Sequence, residues 1–361
     1  MYKKLIGYTI LLLYFLVLAV AITSGPLVSY PSLILGIIGL IVVILGISSI
    51  AKNFNLVDSP DNERKTHFGK VPLVGGIVLF VSMIYGTFIL GVEPFYRVLI
   101  ISLVPIMIIG IIDDAKGLSV PFRIIAQILA SWIVIVGTDV YLRDLGNLFG
   151  QGIVHLNQFG IPFTIFAVVG ICNAFNMLDG KDGLTGSVSM ITIFSLFILL
   201  HVNDSSYNWG LILLLSLLIF LAFNLNLFGS NRKIFLGDHG AVGLGHLIAW
   251  NLVYLSQETE FITPVSALWF IFYPLTDALL TITRRVRSSK SIFDADRKHL
   301  HHILSDYGFS DLKILMLAIL VTTLGATLAV SSNLWSMPED RLLYGYLTVF
   351  LCLLLLGRGK P

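Results

Sequence analysis

The chain is short of charge. Of its 361 residues only 12% are Asp, Glu, Lys or Arg, about half the share of a typical soluble domain, which excludes a solvated globular enzyme. Cysteine is scarcer still. Cys172 and Cys352 both sit inside apolar runs without metal-ligand spacing, so a disulfide framework and a thiolate metal site are excluded and both are expected in the core. There is no nucleic-acid signature, no internal repeat and no low-complexity tract. The apolar run Leu5–Ile22, although preceded by Lys3 and Lys4, is not followed by a small-residue cleavage site, so it reads as a retained helix and not as a signal peptide.

What is there is apolar surface. Hydrophobic residues make up 56% of the chain and the mean hydropathy is +0.90, the composition of an integral membrane protein. A spanning helix needs roughly 17–25 mostly apolar residues, and only helices or closed barrels satisfy their backbone groups in lipid. The runs here are continuous, not alternating, which predicts an all-α polytopic protein of about 11–12 spans in one domain over residues 1–361. Candidate spans lie near 5–23, 31–51, 73–91, 97–112, 122–140, 161–176, 184–201, 209–227, 239–256, 263–282, 312–331 and 341–357. With the amino terminus inside, 20 of the 23 Lys and Arg fall at cytoplasmic ends and only Arg97, Arg143 and Arg341 outside, as the positive-inside rule requires. The net charge of +2 matters less than that distribution. Among the outer segments, Tyr141–Gly160 is expected to form a small ordered loop or hairpin.

Five acidic, glycine-rich or histidine-rich segments fall on the predicted inner side: Asn55–Gly76, Asp113–Arg123, Asn173–Gly183, Arg232–Gly240 and Asp294–His302. Asp113 and Asp114 are adjacent carboxylates at the mouth of a helix. They repel unless a cation or proton relieves them, which suits a metal or proton abstraction; the plain alternative is a solvated helix end. Asn173, Asn176, Asp179 and Asp182 recur every third residue, so a helix would turn them toward one cavity, with Gly180 and Gly183 allowing a sharp turn or close approach. In Gly237-Asp238-His239-Gly240, glycines let a phosphate approach backbone N–H groups at a helix N-terminus, and Asp238 suits a Mg²⁺ ligand or an N-cap. Asp294-Ala-Asp296-Arg297-Lys298-His299-Leu-His301-His302 suggests zinc by its imidazoles, but the neighbouring Arg297 and Lys298 favour diphosphate binding; a solvated basic face is the alternative. Arg64 to Gly76, with His67 and Lys70 ahead of a Gly-Gly helix start, fits either an anionic substrate or ordinary cytoplasmic charge.

In this order and spacing the segments resemble the polyprenyl-phosphate N-acetylhexosamine-1-phosphate transferases, over about residues 50–310. The family's adjacent-aspartate motif falls on Asp113 and Asp114, its Asn-X-X-Asn-X-X-Asp-Gly-X-Asp-Gly motif on Asn173 to Gly183, its metal aspartate on Asp238 and its histidine-rich loop on His299 to His302. The resemblance implies a membrane enzyme that moves N-acetylhexosamine 1-phosphate, GlcNAc-1-phosphate first, from a UDP-N-acetylhexosamine to undecaprenyl phosphate with Mg²⁺ or Mn²⁺, releasing UMP. It implies Asp113, Asp114, Asp179 and Asp182 as catalytic acids and Asp238, Asp114 and Asp179 as metal ligands. Substrate binding would fall to His67, Lys70, Asn173, Asn176, Arg297, His299, His301 and His302. The expected location is the bacterial inner membrane, with the site facing the cytoplasm and no nucleic-acid partner; a homodimer is implied by the resemblance alone. The phospho-MurNAc-pentapeptide branch of the family carries a different histidine loop. A proton-coupled transporter, the reading from another class, requires acids near the bilayer midplane, whereas these gather at one face. His239 and Ala241 depart from the family pattern, which has a small residue and a serine there.

Overall fold

The computed structural model describes residues 30–59, 69–90, 92–203, 208–259, 261–289, 291 and 299–356. The first predicted span, 5–23, lies outside them, as do His67 and Arg297. The remaining apolar runs form helices: α1 Tyr30–Ala51, α2 Gly75–Leu90, α3 Pro94–Lys116, α4 Val120–Thr138, α5 Gly160–Leu178, α6 Leu184–Val202, α7 Asn208–Asn224, α8 Asp238–Gln257, α9 Pro264–Phe270, α10 Phe272–Arg287, α11 Leu300–Asp306, α12 Asp311–Leu334 and α13 Glu339–Leu356. Six described stretches (36–54, α3, α4, 157–178, α6 and α12) are long and apolar enough to cross a membrane, seven if the bent pair α9 and α10 counts as one; α2 and α7 contribute shorter apolar helices. The protein is a multi-pass helical membrane protein.

Two helices run beyond their apolar runs. The fourth predicted span, 97–112, extends to Lys116, so Asp113 and Asp114 occupy the last turn of α3 and do not follow it. The predicted span 263–282 is not one rod, because α9 and α10 meet at 87°. Pro274 explains the break: it lacks the N–H that would bond the carbonyl four residues back, and its ring crowds that carbonyl. The polar stretch Thr276 to Arg287, partly assigned to a loop by apolar periodicity, is therefore helical.

Helix α8 is the axis of the bundle. It packs against α2, α3, α5, α6 and α9, and sixteen of its twenty residues are buried. Small residues make this possible: a Cβ on Gly76 would stand 2.4 Å from Gly240 Cα, and one on Gly245 would stand 2.7 Å from Cys172 Cα. With lipid outside there is little hydrophobic force between helices, so close backbone packing of this kind holds them together. The outward faces of α3 and α4 carry exposed Ile101, Val104, Ile108, Ile125, Trp132 and Val136, as lipid contact demands. Cys172 is buried as expected; Cys352 is not in the core but exposed on α13.

The segments between helices sort to two ends. At one end Asp144 and His155 pair across an antiparallel bridge, with Leu145 N–H donating to Val154 O at 3.0 Å, which makes Tyr141–Gly160 the hairpin its composition suggested. At the other end the polar loop after α1 forms a small antiparallel pair, β1 Val57–Asp58 with β2 Val71–Pro72. Leu73 then bridges to Phe235 in parallel, and Gly75 and Gly76 N–H groups donate to Phe235 and Leu236 carbonyls at 2.9 Å. The alternation needed for strands was too short to read from sequence.

Candidate active site

The described parts of all five segments predicted to share a side meet at this second end. Pro72 and Leu73 join Phe235, Asp114 reaches Asp238, Lys181 pairs with Asp311 at 2.7 Å, Lys233 with Asp182 at 2.5 Å, and His301 rests on Gly180.

Asp113 and Asp114 do different work although adjacent. Asp113 Oδ1 accepts the Leu118 N–H at 2.5 Å, closing the turn after α3, and its Oδ2 lies 3.3 Å from Arg123 Nη1. Asp114 is a cap for a different helix: it accepts the Asp238 N–H at 3.1 Å and the His239 N–H at 3.5 Å, and pairs with His239 Nδ1 at 2.5 Å. A carboxylate at a helix N-terminus stabilises it by roughly 0.3–1 kcal/mol, and by up to about 2 when partly buried; α8 has only Gly237 at its own cap. Gly237 has φ +78°, and a Cβ there would sit 2.7 Å from Asp114 Oδ2, so the approach requires glycine.

Arg123 Nη1 also lies 3.3 Å from Asp238 Oδ2, tying α4 to both acids. Asp113, Arg123, Gln127, Asp238 and His239 form the polar part of the wall of a cleft whose apolar part is Ile106, Ile109, Ala126 and Val242. Burial pushes the Asp238 carboxyl up, and Asp114 and Asp113 push the same way against Asn176 and Arg123. Asp179, at the end of α5, is pushed up to about 7, first by burial and then by the charges of Asp238, Asp114 and Asp182, with the Thr185 hydroxyl offsetting part of the shift. Asp179 and Asp238 both feel the charge of Asp114. The donors are carboxylate and amide oxygens, the chemistry of a hard divalent ion such as Mg²⁺ or Mn²⁺, and an excess of buried negative charge is what such an ion relieves. Among the described residues no three His, Cys, Asp or Glu side chains form a ready-made metal cage.

The four polar residues at spacings of three do not share one face of a helix. Helix α5 stops at Leu178. Asn173 Nδ2 donates to Gln127 Oε1 at 2.8 Å and to the Val169 carbonyl at 2.7 Å, Asn176 acts on Asp238, Asp179 faces the acid cluster, and Asp182 is exposed on Lys233. The turn between Asp179 and Gly183 breaks the helical register: Gly183 has φ +76° and starts α6. Gly180 serves approach instead, since a Cβ there would stand 2.3 Å from His301 Nε2.

His301 is 1% exposed and, among the described residues, neither ring nitrogen has a hydrogen-bond partner. Burial, then His302, holds its pKa down to about 3, so it is neutral. The three imidazoles pack together, His301 and His302 with ring centres 4.2 Å apart. Lys70 is exposed at the edge of β2.

Arg123, Gln127 and His239 are site residues that motif reading passed over. Arg123 and Gln127 lie one turn apart on α4, a spacing that could have marked them, but both look like ordinary helix polarity without the cleft. His239 was visible only as a departure from the family pattern.

Sequence comparison agrees with the geometry. The profile described as glycosyl transferase family 4 matches residues 96–256, which carries Asp113, Asp114, Asn173 to Gly183 and Asp238. An undecaprenyl-phosphate alpha-N-acetylglucosaminyl 1-phosphate transferase of Yersinia pestis is 34% identical over 84% of this chain and 84% of its own length. The chain belongs to glycosyl transferase family 4. Similarly named members from Escherichia coli K12, 34% identical over 78% of this chain and 77% of theirs, and from Haemophilus influenzae, 32% identical over 88% and 91%, give the same family alignment across most of the bundle.

Proposed function

We propose that this family 4 member transfers N-acetylhexosamine 1-phosphate, GlcNAc-1-phosphate first, from a UDP-sugar to undecaprenyl phosphate and releases UMP. The observation that carries the reading is the acid cluster of Asp114, Asp179 and Asp238 beside a buried, partnerless imidazole at one end of an apolar bundle. The names of the relatives at 32–34% identity support the same lipid acceptor and sugar. The reaction is the first membrane step of cell-surface polysaccharide synthesis, at the cytoplasmic face of the bacterial inner membrane.

Both reactants are anions, so catalysis is a matter of charge neutralisation and in-line positioning. An oxygen of the lipid phosphate forms a bond to the β-phosphorus of the nucleotide sugar as the bond from that phosphorus to the UMP oxygen breaks. Asp238 and Asp179 would hold Mg²⁺ or Mn²⁺, which would supply positive charge to the diphosphate. Asp114 acts on that site through the N-terminus of α8, since its oxygens are already engaged by Asp238 N–H and His239. Asp113 orients Arg123, whose remaining N–H donors suit the lipid phosphate, with the chain lying along the apolar wall of the cleft. His299, His301 and His302, with Arg297, receive the diphosphate, and Asn173 and Asn176 order the cleft wall.

Purified protein given UDP-GlcNAc, undecaprenyl phosphate and Mg²⁺ is expected to release UMP, with chelation stopping the release. A folded Asp238→Asn variant turning over at the parent rate would refute the metal assignment. Absence of UMP with any UDP-N-acetylhexosamine would refute the reaction.

A further inference from the structure

Helix α10 carries a buried acid that the reaction above does not use. Asp277 is 2% exposed, and both its oxygens address the start of the imidazole segment: Oδ1 accepts the Leu300 N–H at 2.7 Å and Oδ2 lies 3.5 Å from His299 Nδ1. The Thr281 hydroxyl, one turn along the same helix, lies 3.4 Å from that nitrogen. His299 opens α11 without a side-chain cap of its own, so Asp277 bonds the first helical N–H from another element. Two residues further on stands His301, buried with both nitrogens unbonded. Such burial is costly, so neighbours must impose its place.

The helix start that carries Asp277 is packed into a corner. Thr276 meets the Tyr346 hydroxyl of α13 at 3.1 Å, Trp269 and Phe272 stack across the 87° break at 5.1 Å, and Tyr346 meets both edge-on. Gly325 of α12 lets the corner seat: a Cβ there would stand 2.8 Å from the Trp269 carbonyl oxygen.

We propose that Asp277 is a positioning residue that fixes His301 against the Asp179–Gly183 turn, so that the bend between α9 and α10 sets the geometry of the imidazole end. The activity readout of this proposal rests on the transferase reading; its structural readout does not. In the full-length protein in detergent, amide hydrogen exchange over residues 299–306 is compared between the parent, Asp277→Ala and Asp277→Asn, alongside kcat and KM for UDP-GlcNAc. Asp277→Ala is expected to raise exchange across the segment and to lower kcat by about 10²-fold, the scale of an ångström-level misplacement. Asp277→Asn keeps an acceptor for Leu300 N–H and is expected to restore both. Adding Asp277→Ala to His301→Ala should slow the enzyme no further, because the two act as a unit. Parent-like exchange in Asp277→Ala, Asp277→Asn exchanging as fast as the alanine variant, or losses that multiply in the double variant would each overturn the proposal. If the parent releases no UMP the transferase reading fails, and the exchange comparison alone decides the positioning.

Discussion

The two ends of the bundle are built from the same kinds of residue but use them differently. At the hairpin end Arg143 pairs with Glu258 at 2.6 Å, Gln257 accepts the Arg143 N–H at 2.7 Å, Glu339 accepts the Asn147 N–H at 2.9 Å, and the Tyr254 hydroxyl meets Glu93 at 3.0 Å. Each of these contacts joins the hairpin or a helix end to another element, while Glu339 Oε2 has no hydrogen-bond partner among the described residues. At the opposite end Arg123 alone is shared between Asp113 and Asp238, Asp114 is spent on the start of α8, and Asp179 has no cationic partner among the described residues. Lys181 and Lys233 are taken by Asp311 and Asp182. The first arrangement serves stability; the second is a cost that the proposed cation and anionic substrates would remove.

The sharpest way to break this contrast is Asp238→Asn, expected to lower turnover by about 10²–10³-fold, the cost of losing one preorganised charge contact, with an unchanged helical circular dichroism spectrum. Arg123→Gln should follow at about 10²-fold in kcat/KM, read most clearly by titrating the lipid phosphate. Gly180→Ala inserts a Cβ where His301 stands, and a loss of about 10-fold in turnover is expected as the ring is displaced; parent-like kinetics would mean that the contact carries no geometry. The pH dependence of stability is a subtler reading. His301 has a pKa of about 3 folded against an ordinary 6.5, so the unfolded chain binds the extra proton in that window and stability falls as pH drops from about 6.5 toward 3. His301→Gln should flatten that part of the thermal-unfolding profile. At the hairpin end Arg143→Ala should cost only ~0.2–1 kcal/mol, as a partly exposed pair does, and leave UMP release as it was.

Much of this was legible before any coordinates. Continuous apolar runs bounded by charge gave the helices, and the distribution of Lys and Arg grouped five distant segments that do meet. Motif spacing brought out Asp113, Asp114, Asp179, Asp238 and His301. What it could not give was direction. Period-three spacing turned Asn173, Asn176, Asp179 and Asp182 toward one cavity, but α5 ends at Leu178 and the turn sends Asp182 to Lys233. Asp113 and Asp114 looked interchangeable, and only three-dimensional partners separate them. The break at Pro274 was hidden because the flanking residues still sum to an apolar span, and Asp277 hid with it. Contacts between residues far apart in sequence, such as Gly110 beside His239, leave no periodic trace.

The central claim is that the acidic end moves a phosphorylated sugar between two anionic carriers. Nucleotide sugar labelled with ³²P in the β-phosphate, incubated with the purified protein and undecaprenyl phosphate, tests it most directly. The account predicts label in the lipid extract with one UMP released per labelled lipid. Label retained in released UDP, or left in the unreacted donor, would contradict it.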